Sequence, residues 1–130
     1  MSSLRDLAVN LDIKESVRPA VLAATTTGEV VDTRGFDSAV VVVQSGAIAG
    51  SGDFTAKLQH SLTTTAGDFA DVEAADLQGA FKAEMTANTI EKVGYLGDRR
   101  YLRVVLTKND GTSIAAGAAV IVGHPALRPV

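Results

Sequence analysis

Hydrophobic and polar residues alternate with a period of two over much of the chain. Tyr101, Arg103, Val105 and Thr107 share one phase and Leu102, Val104 and Leu106 the other, and Phe54, Ala56 and Leu58 alternate with Thr55, Lys57 and Gln59. This is the signature of half-buried strands. Val40–Val43 and Ala118–Val122 are instead continuous apolar runs, as expected of strands covered on both faces. Glycine-bearing turn signals at Gly28, Gly35, Gly46–Gly52, Gly67, Gly79, Gly97 and Gly111 separate candidate strands near 19–26, 29–34, 37–45, 53–61, 67–73, 89–96, 100–107 and 116–123. Residues 74–88 read either as a strand with a loop or as a helical turn. Eight short strands without long helical periods predict an all-β, two-sheet antiparallel sandwich. The strand count favours a jelly roll, although an immunoglobulin-like sandwich or a small barrel shares these signals.

The N-terminus has another period. Leu4, Leu7, Ala8 and Leu11 recur at i, i+3, i+4 and i+7, with Ser3 as a candidate cap and Asp6 in the first turn, which predicts a short amphipathic helix over 3–13. So short a helix is marginal in water unless its leucines pack, either on their own domain or on a neighbouring subunit. The expected organisation is an arm at 1–17, a sandwich at 18–123 and a tail at 124–130.

Composition narrows the chemistry. The 130 residues suffice for one domain with its own core, aromatics are only 5%, and Trp and Cys are absent, so the core must be built from small and β-branched side chains without disulfides. A net charge of −3 and a pI near 5.2 disfavour nucleic acid as a partner. No apolar run approaches the ~20 residues of a membrane helix, and Asp6 interrupts what would be the apolar part of a signal peptide. The expectation is a soluble, unprocessed chain.

Candidate reactive residues are sparse. His60 and His124 lie 64 positions apart, and His60 shares the inward phase of Phe54, Ala56 and Leu58, which predicts a satisfied, partly buried imidazole. Asp68, Asp71, Glu73 and Asp76 lack the order of a calcium loop and read as a charged sheet edge. Gly46–Gly52 lacks a Gly-Lys-Ser/Thr ending and a following helix, so it reads as a hairpin tip. Arg99, Arg100 and Arg103 form the one basic cluster, with Tyr101 among them; they suit either ion pairs with neighbouring carboxylates or a protein interface. A sugar-binding platform would have to come from the few aromatics, notably Phe36, Phe69 and Tyr101. The pattern predicts no enzyme, no metal and no cofactor.

Several segments carry a resemblance: Leu4-Arg5-Asp6-Leu7, the strand start Gly52-Asp53-Phe54-Thr55, Ala75-Asp76-Leu77-Gln78-Gly79-Ala80-Phe81, Val93-Gly94-Tyr95-Leu96-Gly97 leading into Arg100-Tyr101-Leu102-Arg103-Val104, and Gly123-His124-Pro125. Together they resemble a family of small tailed-bacteriophage and prophage proteins whose genes typically lie beside that of the major capsid protein. Members placed in virions resemble capsid cement, or decoration, proteins. The resemblance implies a structural protein on the capsid exterior, made in the bacterial cytoplasm, with the major capsid protein as partner and a dimer or trimer as its state. It supplies no catalytic residues. The residues expected at interfaces are Leu4, Leu7 and Leu11 in the arm, Arg103, and His124, Pro125, Leu127, Pro129 and Val130 in the tail. The alternative is a binding module of a phage tail or baseplate, or one that recognises carbohydrate.

Overall fold

The alternating segments pair into two antiparallel sheets. In the structure, a computed structural model that describes residues 6–125, the strands are β1 (Leu11–Leu22), β2 (Thr26–Thr27), β3 (Val31–Asp32), β4 (Phe36–Ala49), β5 (Asp53–Ser61), β6 (Ala70–Asp71), β7 (Leu77–Gln78), β8 (Ile90–Tyr95), β9 (Tyr101–Asp110) and β10 (Ser113–Pro125). One sheet has the order β1-β10-β4-β8-β7, and the other β2-β9-β5-β6 with β3 beside β2 on the same edge of β9. With β2 and β3 taken as one interrupted strand, the chain crosses between sheets in the manner of a jelly roll, which selects that topology among the three the sequence allowed.

The core lies between the sheets. Phe54, Ala56 and Leu58 of β5 and Leu102, Val104 and Leu106 of β9 face Val41, Val43, Ile114, Val120 and Val122 of the other sheet, all buried. Ser16 fastens the open side: its Oγ accepts the Val104 N–H at 2.9 Å and donates to the Glu29 carbonyl at 3.0 Å, while the Gly28 N–H donates to the Val104 carbonyl at 2.8 Å. A Cβ at Gly28 would collide with Ser16 Oγ and lie 2.8 Å from the Val104 oxygen, so only glycine fits. Register shifts in β1 at Glu15/Val17 and Val17/Ala20 form the bulged stretch that admits Pro19 on this edge strand.

The N-terminal expectation needs correction. Leu7–Val9 form a single 3-10 turn, and Leu11 onward is strand, pairing with β10 from Leu11↔Gly123 to Leu22↔Ile114. A ladder along β10 satisfies the backbone of every other residue, whereas the leucine spacing offers only a helix too short to stand alone. The expected boundary between 17 and 18 therefore falls inside β1, and the strand placed at 19–26 starts eight residues late. β4 likewise extends to Ala49, leaving only Gly50 and Ser51, with φ of 57° each, to turn the chain.

Residues 74–88 combine the two readings, a helical turn and a short strand with a loop. A 3-10 turn at Ala74–Asp76 leads into β7, and the following loop is pinned by the Met85 N–H on the Phe54 carbonyl (2.8 Å), the Lys82 N–H on the buried Glu91 Oε1 (2.7 Å) and the Thr89 N–H on Ser45 Oγ (3.1 Å). The strand expected at 67–73 contracts to β6, preceded by a 3-10 turn at Ala66–Asp68.

Phe54 is the largest fully buried side chain. Phe54→Ala is expected to lower the unfolding free energy by about 3–5 kcal/mol, measured by urea denaturation.

Candidate functional site

The two sheets present unlike outer surfaces. On the β1-β10-β4-β8 sheet, the register builds outward rows across the strands: Ile13–Ile121–Val40–Gly94, then Glu15–Ala119–Val42–Lys92, then Gly117–Gln44–Ile90. Nothing in the described chain covers this face. Ile13, Val21 and Ile90 are 61%, 72% and 62% exposed, and Val40, Val42, Ala119 and Ile121 are half-buried only by their neighbours. Because β10 contributes only Ala115, Gly117 and Ala119 along its centre, a trough of about 800 Å³ opens there, walled by Ile13, Pro19, Val21 and Val42. A Cβ at Gly117 would meet Pro19 Cγ at 2.9 Å, so the bulge of β1 rests on that glycine.

The other sheet turns a polar ladder outward. Arg103 Nε donates to Gln59 Oε1 at 2.8 Å, Gln59 Nε2 donates to Asp71 Oδ1 at 2.8 Å, and Lys57 pairs with Asp71 at 3.2 Å. The Arg103 guanidinium also lies 4.3 Å from the Phe69 ring centre. Arg100 covers Tyr101 at 4.9 Å and the Lys14 ammonium sits 5.7 Å from the Phe36 centre, so each of the three aromatics expected as sugar platforms has a cation against its face.

The ends of the sandwich differ too. At one pole the start of β1 lies beside the end of β10, Leu11 opposite Gly123, and the connections 33–35 and 96–100 cross between sheets. Leu7, Val9, Leu62 and Leu96 are exposed there. The pole is braced by Arg100 on Asp32, with Nε–Oδ1 at 2.8 Å and Nη2–Oδ2 at 2.7 Å, and by the Thr33 N–H on the Arg100 carbonyl. The other pole holds the Gly50–Ser51 and Asp110–Thr112 turns with Thr25, Asn109 and Asn88, a polar rim.

The expected site residues that the structure describes fall in two places. Leu7 is exposed in its turn; Leu11 is half-buried against Gly123; His124 is exposed with its Nδ1 against Ser38 Oγ; Pro125 pairs with Phe36. These gather at the apolar pole, and Arg103 sits on the polar sheet with its guanidinium engaged. Leu4, Leu127, Pro129 and Val130 lie outside the described residues. Sequence reasoning missed Ile13, Val42, Ala119, Ile121, Leu62 and Leu96. The continuous apolar runs of β4 and β10 were the signal for Val42, Ala119 and Ile121.

Among titratable groups, His60 is buried as expected, its Nδ1 2.8 Å from Tyr95 Oη, which also accepts the Arg99 N–H at 3.0 Å. Burial holds this imidazole below its ordinary 6.5, with the nearby Arg99 charge acting the same way. Of the acids thought of as a charged edge, Asp68 accepts from Thr63 Oγ1 at 2.7 Å and Asp71 is in the ladder. Among the described residues no three His, Cys, Asp or Glu side chains converge on a common point.

No family model matches the chain, and no curated protein matches it by sequence. Among solved structures it is similar to the SPBc2 prophage-derived protein YomS, at 15% identity and a TM-score of 0.49, over 86% of this chain and 93% of that one. It is also similar to PirA (15%, TM-score 0.44, 94% and 100% of the two chains) and to a chain of the infectious bursal disease virus Gx strain (15%, 0.43, 91% and 34%). At such identities and TM-scores these likenesses carry nothing about activity or partners.

The Asp32 carboxyl is held at about 2 by the Arg100 guanidinium, against an ordinary 3.8. A carboxyl that titrates lower in the folded chain adds stability that is complete above 3.8 and is lost as pH falls towards 2. Asp32→Asn should therefore lower the thermal midpoint at pH 7 and flatten its fall across that acid window, as followed by circular dichroism; exposure of the pair keeps the effect modest.

Proposed function

We propose that the chain is a structural component of a tailed-bacteriophage virion, a cement protein that docks on the outside of the major capsid protein shell and stabilises it. The observation that carries this reading is the directionality of the sandwich: the start of β1, the end of β10 and the exposed Leu7, Val9, Leu62 and Leu96 share one pole, and polar turns cap the other. A domain that must lie between a protein shell and water needs that asymmetry. Apolar side chains left in solvent at one end gain about 1.5–3 kcal/mol each when fully buried against a partner. The segments that resemble phage proteins add the nature of the partner, and an acidic pI suits a position away from packaged DNA.

Repeated copies on a lattice turn modest contacts into firm attachment. The carbohydrate alternative is disfavoured because Phe36, Phe69 and Tyr101 are already faced by Lys14, Arg103 and Arg100. The test is co-sedimentation with shells of the parent phage that lack this protein. Wild-type chain should pellet with shells, while Leu62→Ser/Leu96→Ser and a truncation of residues 126–130 should each bind at least about tenfold more weakly. Wild-type chain that ignores shells and binds tails, or variants that attach as wild type does, would contradict the proposal.

A further inference from the structure

The outer face of the β1-β10-β4-β8 sheet is separate from the pole, and its pattern specifies what covers it. We infer that a second copy of this chain packs there, sheet against sheet, about a two-fold axis that runs parallel to the strands between β10 and β4. The dimer does not depend on what the pole binds.

Three features converge. The first is need: Val40, Val42, Ala119 and Ile121 occupy the middle of the face, flanked by exposed Ile13, Val21 and Ile90, a contiguous apolar surface that none of the described residues covers. The three outward rows, two of which cross all four strands, at about 4.8 Å between strands and about 6.8 Å between rows, give a flat footprint of roughly 360 Å². The small residues of β10 let two such faces approach to the ~10 Å of aligned sheet packing.

The second is charge. The row Glu15–Ala119–Val42–Lys92 carries an acid at the β1 edge, a base at the β8 edge and apolar residues between. A two-fold axis parallel to the strands exchanges the edges, so Glu15 of each copy meets Lys92 of the other, and the single row forms two identical ion pairs at the rim of an apolar centre. An axis across the strands would lay β1 on β1 and set like charges facing. Glu15 already holds Arg18 at 3.1 Å, but that pair is exposed and leaves the carboxylate's second oxygen unused.

The third is direction. Rotation about an axis parallel to the strands preserves which end is which, so the poles bearing Leu62, Leu96, the start of β1 and the end of β10 of both copies point the same way. The crosswise axis would send them to opposite ends. The charged row and the polarity of the sandwich thus select the same symmetry.

Analytical ultracentrifugation of the full chain tests this directly. Wild-type chain should sediment at twice 13.4 kDa at about 100 µM, and Ala119→Arg, which drives a charge into the centre of the face, should sediment as a folded monomer with unchanged circular dichroism. Glu15→Lys and Lys92→Glu alone should each weaken the dimer about tenfold, and Glu15→Lys/Lys92→Glu together should restore it to within about threefold of wild type. Lys57→Glu on the opposite sheet should have no effect. A monomeric wild type, a dimer indifferent to Ala119→Arg, a double variant no better than the singles, or dissociation by Lys57→Glu would each overturn the inference. Mass reports the dimer and co-sedimentation reports shell attachment, so a monomeric wild type that still binds shells removes the dimer and leaves the proposed function standing.

Discussion

Two central strands that are apolar on both sides set the terms for this molecule. Successive side chains of a strand point to opposite faces, so Val40–Val43 in β4 and Ala118–Val122 in β10 must offer apolar atoms to both. The second sheet covers only the face that carries Val41, Val43, Val120 and Val122. The other face keeps Val40, Val42, Ala119 and Ile121, and the features around it follow: small residues down β10, an edge strand that bulges over Gly117, and one charge on each flank. Such a surface is costly to leave wet and simple to satisfy with protein.

The opposite sheet shows the contrast. Its outward residues satisfy one another through Arg103, Gln59, Asp71 and Lys57, and its aromatic face is occupied by the guanidinium of Arg103. Polar groups so engaged demand nothing further from a partner. One side of the sandwich is complete in itself and the other is not, and one pole is apolar while the other is polar. Jelly-roll topology makes this possible, because it brings the start of β1 beside the end of β10 at one pole and turns the chain back at the other.

Much of the fold was legible in local pattern. The bounds of β5 were read from strict alternation of Phe54, Ala56 and Leu58, and the start of β9 from the same period. β1 was misread because Leu4, Leu7, Ala8 and Leu11 happen to satisfy a helical period, whereas the partner that decides the matter, β10, lies more than a hundred residues away in sequence. The two-residue strands are fixed by pairing and not by their own residues, so no period announces them. Of the surfaces, the chain ends were visible as apolar segments. The sheet face was visible too, as the continuous runs, but double coverage was expected from within the domain. The engagement of Arg103 with Phe69 and Gln59 depends on a register that no single sequence displays.

The absence of cysteine makes the central claim, that this sheet face works covered by protein, open to a direct probe. Single cysteines at Ala119→Cys, at the centre of the apolar face, and Thr55→Cys, on the polar sheet, can be labelled with a maleimide in the assembled state. The account predicts that the thiol at position 119 reacts at least about tenfold more slowly than the one at position 55, and that dilution or denaturant removes the difference. Equal labelling of the two positions in the assembled protein would contradict it.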